Sequence, residues 1–295
     1  MPPVIRIGTR ASALARRQTE IVSGLLLEKG IESESIIIRT EGDAQTGVPL
    51  HEVGGQGIFV RALDDAIQRG EIDCAVHSMK HIPAARPDGI TTAAILPRDP
   101  PYDYLAFDIP LDEISCIGTS STRRKAQLLR HDPEFEIKEL RGNIDTRIRK
   151  LKSGDYDAIM LAEAGLARMS LHVNGIRLPT KHFVPAPNQG TIAVVCRDDP
   201  GMSDLIRPLD HPATRRDTEI ERAVMEEVGG GCFTPQGIYC QNGSLIAEIL
   251  SLDGKRYERM EEHVENSDDA RRIGAELRDR SLNIILEAKE KLGLK

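Results

Sequence analysis

The sequence predicts an α/β chain in which two similar α/β parts are followed by a smaller α+β part. Three observations carry this expectation. Short β-branched runs alternate with amphipathic stretches of helical period from residue 4 to residue 161. Two proline-bearing crossings, residues 97–101 and 185–190, interrupt the alternation, and the run 191–196 fits back into the first sheet. Beyond about residue 211 the pattern changes to a long helical stretch, a glycine triplet and three strand-like runs, with hairpin signals at Asn242-Gly243 and Asp253-Gly254.

The first part reads as strand 4–7, helix 12–28, strand 35–39, helix 58–69 and strand 72–76. Phe59, Leu63, Ala66 and Ile67 share one face of the second helix. Residues 42–57 carry glycines at 42, 47, 54, 55 and 57 and little periodicity, which predicts a loop, either a lid or plain surface. The second part repeats the order with strand 116–118, helix 122–130, strand 135–140, helix 143–151 and strand 156–161. The third part reads as a helical stretch ending at Val228, strands 236–240, 245–251 and 256–264, and a covering helix 268–291 that opens on aspartates.

Composition excludes several classes. Hydrophobic residues at 40% and charged residues at 29% describe a globular chain, and no apolar run approaches the roughly 18 residues of a membrane helix. The N-terminus runs straight into a strand without the features of a signal peptide, so a cytoplasmic location is expected. Five cysteines at 74, 116, 196, 232 and 240 have no close pairing, which indicates neither a disulfide framework nor a metal site. A formal charge of -7 speaks against broad nucleic-acid binding and makes local cationic clusters informative.

Such clusters stand at predicted strand-to-helix turns. Gly118-Thr119-Ser120-Ser121-Thr122 leads into Arg123-Arg124-Lys125, Arg141-Gly142-Asn143 repeats the arrangement with Arg147 one turn on, and Gly8-Thr9-Arg10-Ala11-Ser12 follows the first strand. Backbone N–H groups, hydroxyls and arginine forks at the carboxyl ends of strands suit an anion; an N-capped helix with a solvated basic face fits the same local pattern. No phosphate loop or dinucleotide fingerprint is present. Four cysteines fall in apolar strand-like runs, whereas Cys232 follows Gly229-Gly230-Gly231 on a loop, where it is either inert or presented to a cleft.

Taken together, the motifs resemble the porphobilinogen deaminase (hydroxymethylbilane synthase) family over the whole chain. They are Gly8-Thr9-Arg10-Ala11-Ser12, Gly54-Gly55-Gln56-Gly57-Ile58-Phe59, Val76-His77-Ser78-Met79-Lys80, Gly118-Thr119-Ser120-Ser121 with Arg123-Arg124, Leu140-Arg141-Gly142-Asn143, Asn188-Gln189-Gly190 and Gly230-Gly231-Cys232, in the family's order. The resemblance implies two periplasmic-binding-protein-like α/β domains joined by a hinge, residues 1–96 with 191–208 and residues 99–187. A C-terminal α+β domain, residues 211–295, would carry a three-stranded antiparallel sheet. It further implies a dipyrromethane bound covalently through Cys232. Onto it a cytoplasmic, monomeric transferase of porphyrin and heme biosynthesis condenses four porphobilinogen molecules with loss of ammonia, giving hydroxymethylbilane. No metal, nucleic acid or membrane takes part.

By motif position the cofactor would be held by Lys80, Ser120, Arg123, Arg124 and Arg141, and the substrate by Arg10, Ser12, Arg147, Arg168 and Gln189. Each pyrrole brings an acetate and a propionate, for which arginine forks are suited. Lys80 would also serve catalysis with the residue after it. There the family places an aspartate to stabilise cationic pyrrole intermediates, and this chain has His81. A protonated imidazole repels such a cation, so altered turnover is expected unless an acid such as Asp43 or Asp73 compensates. The alternative is an impaired or non-catalytic pyrrole- and anion-binding homologue. Gln56 stands where many members have lysine, a minor departure.

Overall fold

The computed structural model describes residues 4–39, 58–83, 86–229 and 234–293; the stretch 42–57, with Asp43 and Gln56, and Cys232 lie outside the described residues. The chain forms two compact units, Met1–Asp99 with Gly190–Arg215, and Pro100–Gln189 with Arg216–Lys295.

Unit 1 holds β1 (Ile5–Thr9), α1 (Ala13–Glu28), β2 (Ser33–Ile37), α2 (Ile58–Gln68), β3 (Cys74–Ser78), β4 (Ile90–Ile95) and β10 (Ile192–Arg197). Its sheet runs β2-β1-β3-β10-β4. β1, β2 and β3 are parallel, and β10 lies antiparallel between β3 and β4. Period-2 alternation fills both faces. Cys74 and Val76 of β3 with Ile192, Val194 and Cys196 of β10 pack on one side, and Ala75 with Ala193 and Val195 on the other. The strand expected at 72–76 is found two residues later because Ile72 still closes the turn after α2, its N–H donating to the Ala66 carbonyl.

The second sheet, in unit 2, repeats this topology with β5 (Asp103–Phe107), β6 (Cys116–Gly118), β7 (Glu136–Lys138), β8 (Ala158–Ala162) and β9 (Gly175–Leu178), in the order β7-β6-β8-β5-β9. β6, β7 and β8 are parallel, and β5 is antiparallel to β8 and β9. Each sheet therefore takes as its fourth strand the first strand formed after a crossing, β5 after the outward one and β10 after the return. Helices α3 (Thr122–His131), α4 (Ile144–Lys152) and α5 (Glu163–Arg168) follow β6, β7 and β8. The residue pattern foresees neither β4, β5 nor β9: β4 is Thr- and Ala-rich, β5 opens on an aspartate beside prolines, and β9 is a four-residue edge strand.

The return segment turns sharply at Asn188 (φ 63°) and Gly190 (φ 88°), both left-handed. A Cβ on Gly190 would lie 2.5 Å from the Asp99 carbonyl oxygen, and the Gly190 carbonyl accepts from the Asp99 N–H at 3.0 Å. Glycine is needed there for both reasons.

After α6 (Pro200–Ile206) and α7 (Pro212–Val228), strands β11 (Gln236–Gln241), β12 (Ser244–Leu250) and β13 (Tyr257–His263) make an antiparallel sheet covered by α8 (Ser267–Lys291). The hairpin signal holds, since Asn242 and Gly243 both have positive φ, 51° and 79°. Asn266 caps α8 by accepting from the Asp268 and Asp269 N–H groups at 2.9 and 3.0 Å.

Cys74, Cys116, Cys196 and Cys240 are buried free thiols. Burial raises the thiol pKa of Cys74, and that of Cys196 is pushed up to about 11. All four are therefore expected to resist iodoacetamide in the native protein and to react after denaturation, as peptide mapping by mass spectrometry would show. Rapid native labelling of any of them would contradict the packing.

Candidate functional site

In unit 2 the sequence-predicted cations stand at the carboxyl ends of β6, β7 and β8, the ligand-binding edge of an open parallel sheet. Ser121 is the N-cap of α3, its Oγ accepting from the Arg124 N–H at 3.4 Å, so the capping alternative is realised for that residue. The exposed Ser120 donates through Oγ to the Leu140 carbonyl at 2.6 Å and ties the β6 and β7 turns together.

Arg123 and Arg124 do not form a solvated fork. They are 5% and 6% exposed and converge on Asp103, which is 0% exposed. Antiparallel pairing puts Asp103 opposite Ala162, the last residue of β8, and so at the same edge. Arg123 Nη1 donates to Asp103 Oδ2 at 2.7 Å; Arg124 Nε and Nη2 donate to Oδ1 at 3.0 and 2.8 Å. The Gln189 side-chain amide donates to Oδ1 at 3.0 Å, which brings this predicted substrate residue to the same carboxylate. Burial acts to raise the Asp103 pKa, but Arg123 and Arg124 outweigh it and hold the carboxyl well below its ordinary range. One carboxylate thus serves two guanidinium groups, and burial still lowers the Arg124 pKa.

Arg147 lies on α4, its Nε donating to the Gly142 carbonyl at 2.8 Å. Its pKa is pushed down to about 10, first by burial and then by the charge of Arg124. Both influences disfavour the cation, and a bound anion would relieve them. Arg141 pairs with Glu139 at 2.7 Å, and Arg168 is buried at the end of α5.

In unit 1, Arg10 follows β1, and Ser12 caps α1 by accepting from the Ala15 N–H at 3.4 Å. Lys80 and the exposed His81 share a single 3-10 turn, Met79–His81, directly after β3. Ser78 Oγ, just before that turn, accepts from the Gln18 side-chain amide at 2.7 Å. Asp73 is excluded as a substitute for the expected acid. It precedes β3, at the opposite end of a strand about 16 Å long, and is engaged by Arg6 at 2.7 Å.

The sequence reading missed Asp103, the residue that organises the unit 2 edge. The signal was an aspartate opening an otherwise apolar run, since a buried acid demands partners.

Asp103→Asn is expected to destabilise the protein by about 3–5 kcal/mol in denaturant unfolding, because two buried guanidinium groups lose their counter-charge. The sign with pH follows from the depressed carboxyl. Its stabilisation is complete at neutral pH and is lost only as pH falls through the folded-state value. A variant as stable as wild type at pH 7 would refute the role given to this carboxylate.

Residues 5–203 match the sequence profile described as porphobilinogen deaminase, dipyromethane cofactor binding domain, and residues 216–283 that of the porphobilinogen deaminase C-terminal domain. The probable porphobilinogen deaminase of Methanosarcina acetivorans is 52% identical over 270 residues, 88% of this chain and 85% of its own. That of Archaeoglobus fulgidus is 42% identical over 282 residues, 92% of this chain and 96% of its own. Among solved structures, a periplasmic substrate-binding protein of an ABC transporter from Coxiella burnetii is 16% identical with a TM-score of 0.44, covering 72% of this chain and 94% of that one. On the two profile matches and the identities to these relatives, the chain belongs to the porphobilinogen deaminase family.

Proposed function

We propose that this chain is a hydroxymethylbilane synthase, a transferase that condenses four porphobilinogen molecules head to tail, releasing ammonia and then hydroxymethylbilane. The reading includes a dipyrromethane carried on Cys232 and work as a cytoplasmic monomer in tetrapyrrole biosynthesis. It also includes the three-domain division 1–96 with 191–208, 99–187 and 211–295. Among the described residues no helix is long and apolar enough to cross a membrane.

The observation that carries the reading is the set of guanidinium groups at the strand ends of unit 2, where the buried Asp103 carboxylate already serves Arg123 and Arg124 and Arg147 adds a further cation. Such a set fits a ligand that brings carboxylates in series. The same test supports the cofactor, because a dipyrromethane is polycarboxylated and the strand ends of unit 2 hold more guanidinium groups than the Asp103 carboxylate can neutralise. When bound, that group supplies the pyrrole that accepts the first substrate. Ser120, Arg123, Arg124, Arg141 and Lys80 would hold it, the first by its hydroxyl and the others by charge. Arg10, Ser12, Arg147, Arg168 and Gln189 would orient substrate carboxylates. Lys80 and His81, on one short turn after β3, would face the reacting pyrroles, with His81 where the family's carboxylate stabilises positive charge.

Two outcomes are expected. Intact mass should exceed the sequence mass by one dipyrromethane, and Cys232→Ser should remove both the increment and porphobilinogen consumption; an unmodified wild type with full activity would defeat the proposal. His81→Asp should raise turnover, and a tenfold gain would amount to about 1.4 kcal/mol of transition-state stabilisation. Porphobilinogen consumption against pH for wild type, His81→Asp and His81→Ala decides it. Wild type equal to His81→Asp, with both far above His81→Ala, would show the imidazole to be competent.

A further inference from the structure

Unit 1 carries a second set of buried polar groups, on β3, on α2 and in the segment before β4, outside the residues assigned so far. His77 lies on β3, 6% exposed, and its Nε2 has no hydrogen-bond partner among the described residues. Arg86, between β3 and β4, donates through Nη2 to Asp64 Oδ1 at 2.7 Å, while its Nε and Nη1 are buried without a partner among the described residues. Asp64, on α2, is 2% exposed. Burial lowers the pKa of His77 to about 3, with the charges of Arg86 and Arg10 adding to the effect, so the ring is neutral and both arginines lie within electrostatic reach of it.

Buried donors without acceptors are among the most destabilising features a fold can hold, and native proteins satisfy nearly all of them. Here two guanidinium nitrogens and an imidazole nitrogen are left over, and the charge of Arg86 reaches the imidazole. The imidazole nitrogen takes no hydrogen bond from either arginine, so an acceptor from outside suits it as an N–H donor. Asp64 is already engaged and touches Arg86 through one nitrogen. An acceptor with more than one oxygen would meet these donors together, and a carboxylate is of that kind. His77, next to the last residue of β3, stands at the ligand edge of this sheet.

We propose that Arg86 and His77, beside Arg10, form a carboxylate-binding subsite in unit 1 that takes one acidic side chain of the pyrrole substrate. The identity of the ligand rests on the function proposed above; the need for an acceptor rests on the geometry alone. Arg86 and His77 are then specificity-determining residues, whose effect falls on binding before chemistry.

The test uses the full chain carrying its cofactor, with porphobilinogen as the probe. Arg86→Gln is expected to keep the dipyrromethane mass increment and to raise KM by roughly ten- to a hundredfold, the worth of charge-assisted hydrogen bonds. It should raise KM far more than it lowers kcat. His77→Asn should act in the same direction more weakly, and Arg86→Lys should recover part of the loss. Because Arg86→Gln strands the buried Asp64, the double variant Asp64→Asn with Arg86→Gln guards against misfolding and should show the same raised KM. Unchanged KM in folded, cofactor-bearing variants would mean that water satisfies these groups, and the subsite would be withdrawn. A wild type that neither carries the increment nor consumes porphobilinogen would overturn both this proposal and the function on which it rests.

Discussion

The Asp103 carboxylate is the constraint on which the architecture of unit 2 depends. It is the first residue of the first strand after the outward crossing, and it holds Arg123, Arg124 and Gln189, which come from the start of α3 and the end of the return segment. From there the polar network continues. Arg123 donates to Gln127 Oε1 at 2.8 Å, and Gln127 Nε2 donates to Glu248 Oε1 at 2.9 Å. Glu248, on β12 and 0% exposed, also receives Arg130 at 2.9 Å and Arg259 at 3.1 Å. Charges removed from water this completely need geometric partners on several sides, and the partners come from both sheets of the unit. This accounts for the C-terminal sheet forming one compact body with the second α/β sheet.

Local pattern made much of this fold legible. The alternation of strand and helix, the covering helix α8 and the Asn242-Gly243 turn depend on residues within a few positions of one another, and each is found. What escaped depends on distant partners. β5 is a strand because β8 and β9 flank it, not because its residues favour it over the adjoining prolines. Asp103 meets Arg123 across 20 positions and Gln189 across 86, spacings no periodicity reveals. The strand-end arginines were visible as cations, but whether each is exposed or engaged was not. Arg123 and Arg124 turned inward, while Arg147 has no carboxylate partner among the described residues.

Local charge therefore runs against the total. The chain carries a formal -7, yet the strand ends of the second sheet concentrate guanidinium groups that burial works to discharge. An acidic exterior with cationic strand ends favours solubility and still presents a field for a polyanionic ligand. His81 belongs to this balance. Placed on an exposed turn after β3, it adds a titratable base where a permanent anion was expected, and Asp73 is too far along the strand to restore one.

The insertion of β10 between β3 and β4 has a consequence for synthesis. Its neighbours are complete by Ile95, but β10 begins only at Ile192, so the first sheet has a gap until nearly a hundred further residues have left the ribosome. At translation speeds of about 5–20 residues per second that interval is roughly 5–20 s, long beside the microseconds in which strands find partners. Throughout it the facing edges of β3 and β4 are open pairing surfaces on a nascent chain, the kind of edge that draws chaperones or a second copy of the same polypeptide. The second sheet has no such delay, since β5 through β9 emerge as one uninterrupted stretch. Folding during translation is thereby ordered from the middle of the sequence outward, with the first sheet closing after the second.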